Sequence, residues 1–177
     1  MHVDDSAVLV EDQGRDLAAE ETGDVGVHGA LSFRIRCSRG GCQSVACKWF
    51  FEEDLSAEAR ALADARHVFI APDLIIAECA NVAWRRVSDG QVSLKQAEAS
   101  LRALPAWFES LTPSAQLHEA AFRIAHTLNH PVYDCLYIAL AARDAAPLVT
   151  ADGGLARRVR NTPWENLVEP FGGGLQG

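Results

Sequence analysis

Hydrophobic and polar positions follow two rhythms along this chain. Leu31, Phe33, Ile35 and Cys37 alternate with Ser32, Arg34 and Arg36, the period of two expected of a half-buried strand. Ser38, Arg39, Gly40 and Gly41 break that pattern. From Ser44 to Phe51 the sequence turns dense and apolar, and residues 56–66 place Ala, Leu, Glu and Arg at helical spacing, predicting two helices or one bent one. Residues 67–72 are a short β-rich run stopped by proline, as in a buried strand of a parallel sheet. A helix is expected over 73–87 with Asp73 as N-cap, and further helices over 93–104, 114–128 and 132–143. The last of these is opened by Pro131, where the missing N–H costs nothing. Residues 147–150 read as a strand, 154–160 as a helix and 166–171 as a final strand. Strands alternating with helices predict an α/β fold, a three-layer α/β/α domain with a short parallel sheet.

Composition narrows this picture. With 177 residues, 49% hydrophobic and 23% charged, the chain suits one well-buried domain. No apolar run approaches the ~20 residues that cross a bilayer, and the first ten residues carry acids where a leader needs bases, so a cytoplasmic protein without membrane attachment is expected. Cys37, Cys42, Cys47, Cys79 and Cys135 show no zinc-ligand spacing and read as reduced thiols. Residues 1–29 have no sustained period and are expected to be loosely ordered. Sixteen basic against 24 acidic residues give a net charge of −8, so contact with nucleic acid must be local. Lys48, Arg85, Arg86, Arg157, Arg158 and Arg160 could make such contacts or serve as ordinary surface charge. Trp49, Trp84 and Trp107 fit packing better than base stacking, and His126 and His130 fit packing or capping better than catalysis.

Three acids sit where acids need an explanation. Glu78 projects from a helix face that also carries Leu74, Ile75 and Val82, and an unpaired buried carboxylate is costly. Pairing with Arg85 or a hydrogen bond to Asn81 would account for it structurally. Asp134 falls in the first turn of its helix, where the dipole favours acids. Asp152 follows a strand and precedes Gly153 and Gly154, so it is either an N-cap or a ligand at a strand's carboxyl end. Together the three point one way. Converging carboxylates without His or Cys form an all-oxygen site that suits Mg²⁺ or Mn²⁺, and phosphodiester hydrolysis is the chemistry that uses such a site.

Residues 44–50 (Ser-Val-Ala-Cys-Lys-Trp-Phe), 71–82 (Ala-Pro-Asp-Leu-Ile-Ile-Ala-Glu-Cys-Ala-Asn-Val), 130–141 (His-Pro-Val-Tyr-Asp-Cys-Leu-Tyr-Ile-Ala-Leu-Ala) and 148–152 (Leu-Val-Thr-Ala-Asp) resemble the PIN domain, specifically the VapC-like toxin ribonucleases. The resemblance runs from Gln43 to Phe171. It implies metal-dependent cleavage of RNA, an antitoxin partner and a homodimer. The family's acids carry over as Glu78, Asp134 and Asp152, with Ser44 and Thr150 as accompanying hydroxyls and Asn81 as a supporting residue near Glu78. One departure stands out. The family's first aspartate falls at Cys42, and a neutral thiol is a poor ligand for a hard cation. The expected organisation is therefore an atypical segment 1–43, a PIN-like domain 44–171 and a Gly-rich tail 172–177. Residues 31–37 could supply the missing strand; the abrupt change at 43–44 favours instead a mistranslated or wrongly started segment. Two readings stay open beside an impaired ribonuclease: an inactive binding module that dimerises and holds an antitoxin or RNA, and a metal-dependent DNA nuclease.

Overall fold

The computed structural model describes residues 32–35, 45–51, 54–64 and 67–172. A parallel sheet organises them, in the order β3-β2-β1-β4-β5: β1 (Ser32–Ile35), β2 (Val68–Pro72), β3 (Ser110–Thr112), β4 (Leu148–Thr150) and β5 (Val168–Pro170). All four neighbouring pairs are parallel, which requires a crossover between successive strands. Those crossovers hold the helices α1 (Ser56–Asp64), α2 (Leu74–Ser88), α3 (Leu94–Ala103), α4 (His118–Leu128), α5 (Val132–Arg143) and α6 (Gly153–Arg158). This is the α/β architecture expected from the alternation of periods.

Ser32–Ile35 pairs with β2 on one side and β4 on the other. The sheet therefore reaches into the segment that the sequence reading set apart from the domain; the remainder of residues 1–43 lies outside the described residues. After β1 the strands advance in one direction to β3 and then resume at β4 on the other flank of β1, so the order reverses between β1 and β4. In open α/β sheets ligands bind beyond the carboxyl ends of the strands at such a reversal.

Several local expectations change. The dense apolar run after residue 44 forms only a 3₁₀ turn, Cys47–Trp49, before α1 begins. Asp73 sits at the α2 N-cap position without capping it; its carboxylate accepts hydrogen bonds from the Ser114 amide and hydroxyl, tying α2 to the turn after β3. Ser93 caps α3 through a reciprocal box with Gln96, the arrangement that satisfies two orphan N–H groups at once. Strand β3 has no sequence signature, because three residues are too few to show alternation and its pairing with β2 alone defines it.

The core centres on α5. Residues Cys135 through Ala141 are all buried, so this helix is apolar all round rather than amphipathic, the mark of an enclosed helix. Tyr137, Ile138 and Leu140 join Ile75, Leu148 and Leu155 among the fully buried side chains, each apolar one contributing about 1.5–3 kcal/mol. Trp49 is buried and stacks on Trp107 with ring centres 4.9 Å apart, whereas Trp84 is exposed. Lys48 is buried, and its Nζ donates to the Asp54 carbonyl at 2.8 Å, which takes it off the surface where the sequence placed it. The Cys47 and Cys79 thiols meet at 3.4 Å inside the core.

Candidate active-site cleft

Three segments bring Glu78, Asp134 and Asp152 to one place. A cleft of about 430 Å³ is lined by Leu74, Ala77, Glu78 and Asn81 of α2, by His130, Pro131, Tyr133 and Asp134 at the start of α5, and by Asp152 after β4. All three predicted acids and the supporting Asn81 face it. Cys42 and Ser44 lie outside the described residues.

Each carboxylate is held differently. Asp152 caps α6: its Oδ1 accepts from the amides of Gly154 at 2.7 Å and Leu155 at 3.2 Å. Its own amide donates to Thr150 Oγ1 at 3.0 Å, and Thr150 is buried. A Cβ at Gly154 would lie 2.9 Å from Asp152 Oδ1, closer than real contacts allow, so glycine there makes room for the cap. Asp152 is therefore an N-cap that also lines the cleft, since the cap engages one of its two carboxylate oxygens.

Asp134 stands in the first turn of α5 with its Oδ2 2.7 Å from His130 Nε2. The imidazole edge faces the carboxylate across that short distance and encloses it on one side. Both side chains are mostly enclosed, at 15% and 13% exposure. Glu78 accepts a hydrogen bond from Tyr137 Oη to Oε2 at 2.6 Å, where the sequence suggested Arg85 or Asn81. Tyr137 follows Asp134 by three residues, so the two share a face of α5.

His130, which lines the cleft, and Tyr137, which reaches Glu78 from the core behind it, are the neighbours of the acids that sequence reasoning missed. Helical spacing from Asp134 was the available signal for Tyr137; His130 precedes the helix, and only the turn at Pro131 folds it back. The acids share a cleft without forming a closed cage: among the described residues no group of three His, Cys, Asp or Glu side chains is compact enough to hold an ion.

The PIN domain family matches residues 43–161. The chain belongs to the PIN domain family. Ribonuclease VapC1 of Mycobacterium tuberculosis, in strains CDC 1551 / Oshkosh and H37Rv, is 39% identical over 87 residues. That match spans 49% of this chain and 64% of the relative, a little under two thirds of its length. The crystal structure of PAE2754 from Pyrobaculum aerophilum superposes with a TM-score of 0.54 at 19% identity, covering 75% of this chain and 82% of that one, and so shares the fold. The family match begins at residue 43, after β1, yet this PIN domain's sheet is built around Ser32–Ile35. Among the described residues no helix is long and apolar enough to cross a membrane.

Proposed function

We propose that this PIN domain is a metal-dependent endoribonuclease of the VapC-like toxin type. The observation that carries the reading is the meeting of Glu78, Asp134 and Asp152, from three distant segments, in one cleft near the sheet's reversal point. The similarity to ribonuclease VapC1 supports RNA as substrate. Partners follow from the same reading: an antitoxin protein, a second copy of the chain, and a cytoplasmic setting.

The donor set fits a hard divalent cation, Mg²⁺ or Mn²⁺. Glu78, Asp134, Asp152 and Asn81 offer only oxygen toward such an ion. The lack of a closed three-residue cage is compatible with this chemistry, since Mg²⁺ keeps several waters and takes one or two carboxylates plus substrate phosphate. When bound, such a cation neutralises phosphate charge and makes a water nucleophilic near neutral pH. The chain's part is to orient. The α6 amides hold Asp152, His130 walls in Asp134, and Tyr137 fixes one oxygen of Glu78. Arg157 and Arg158, exposed on the helix that follows Asp152, would supply phosphate contacts in this reading.

Cys42 favours a second reading, an inactive module that binds RNA or antitoxin, because replacing an acid by a thiol removes a charge and a hard ligand. One experiment separates the two. Cleavage of a structured RNA panel in Mg²⁺ or Mn²⁺, with single-stranded DNA as counter-substrate, is measured for the chain, for Asp134→Asn and for Cys42→Asp. We expect weak cation-dependent RNA cleavage that Asp134→Asn abolishes and Cys42→Asp raises. Cleavage unaffected by Asp134→Asn would overturn the assignment, cleavage of DNA alone would replace the substrate, and no cleavage by either active-site form would leave the binding module.

A further inference from the structure

The Tyr137 hydroxyl belongs to the largest fully buried side chain among the described residues, yet it points at a residue of the open cleft. A buried tyrosine needs a partner for its O–H, and here that partner is a carboxylate 59 positions away on another helix. Two consequences follow from the geometry. The ring, enclosed at 0% exposure, cannot swing away, so the donor is fixed by core packing rather than by a mobile surface chain. The bond is charge-assisted and short, the class that is roughly twice as strong as neutral pairs.

We propose that Tyr137 is the positioning residue for Glu78, a role that rests on the ribonuclease reading of the cleft. Helix α5 carries Asp134 itself and, three residues on, the group that orients the acid of α2. One buried helix thereby sets the relative placement of two of the three carboxylates. Outer partners of metal-binding groups characteristically change affinity or activity by 10–100-fold when removed. A tyrosine serving only to fill the core would be replaced by phenylalanine without that cost.

The test is Mn²⁺ binding by calorimetry, without RNA, for the full chain, Tyr137→Phe, Glu78→Gln and the double variant, followed by RNA cleavage. Tyr137→Phe should weaken Mn²⁺ about tenfold and lower kcat comparably with KM little changed, while its melting temperature stays within about 4 °C. In the Glu78→Gln background the same substitution should change Mn²⁺ affinity less than about twofold, because the two act as one unit. A second measurement needs no substitution at Tyr137. The chain has two tyrosines, so incorporation of 3-fluorotyrosine gives two ¹⁹F signals, assigned with the half-exposed Tyr133→Phe; the buried signal should shift on adding Mg²⁺ and again in Glu78→Gln. Unchanged Mn²⁺ affinity in Tyr137→Phe would overturn the proposal, as would a loss persisting in the Glu78→Gln background or a buried ¹⁹F signal indifferent to both Mg²⁺ and Glu78→Gln. A parent chain that binds no Mn²⁺ would overturn the metal-dependent reading together with it.

Discussion

The two sides of the cleft are built on opposite plans. On the β4–α6 corner, Asp152 is held by backbone: two amides of its own helix hold its carboxylate, and the buried Thr150 holds its amide. On the α2–α5 wall, Glu78 and Asp134 are met by side chains, those of Tyr137 and His130. The corner therefore binds folding and chemistry into one residue. If the proposed function holds, the wall keeps them apart, and neutralising its acids is expected to cost little stability.

The largest effect should come from the wall. Asp134→Asn should lower RNA cleavage on the order of 10²-fold or more while costing at most about 1 kcal/mol, the worth of an acid in a first helical turn. A comparison of initial rates with urea melts checks both halves. A large loss of stability would erase the distinction between the two sides.

At the corner, Asp152→Ala should abolish cleavage and also cost about 0.5–2 kcal/mol as a lost N-cap. Asp152→Asn sharpens the comparison, because asparagine caps about as well as aspartate but removes the charge. It should melt with the parent chain and still fail to cleave. If Asp152→Asn and Asp152→Ala lose equal stability, the cap is not what holds this residue.

Thr150→Val keeps the volume and removes the acceptor for the Asp152 amide. It should cost about 1–2 kcal/mol, read as a fall of some 2–8 °C in melting temperature, with cleavage down about tenfold. The smallest effect is expected of Gly154→Ala. The added Cβ must push against Asp152 Oδ1, while the chain gains about 0.4–1 kcal/mol from a stiffer unfolded state. Stability should barely move and cleavage should fall severalfold, which steady-state kinetics at fixed Mn²⁺ would show.

Local pattern was enough to place β2, α2, α5 and β4 within a residue or two, because each has a long enough period or a clear stop: Pro72 ends one strand, and Pro131 opens α5. The same pattern singled out Glu78 as an acid on an apolar face and Asp152 at a strand end. Other features had no local signal, or, as with the alternating strand at Ser32–Ile35, none for their place in the sheet. β3 exists because Ser110–Thr112 pairs with β2, and Ser32–Ile35 becomes the middle of the sheet because β2 and β4 pair on its two sides. Asp73 looked like a cap and instead bonds Ser114, 41 residues on. Lys48 looked like surface charge and is buried against a carbonyl of its own loop. The partners of the acids were equally hidden, since a hydroxyl that reaches Glu78 from α5 is fixed by how two helices pack against one sheet. Periodicity and punctuation are properties of neighbours in sequence and were legible; which buried donor meets which acid is set by contacts across the core, and only the folded chain decides it.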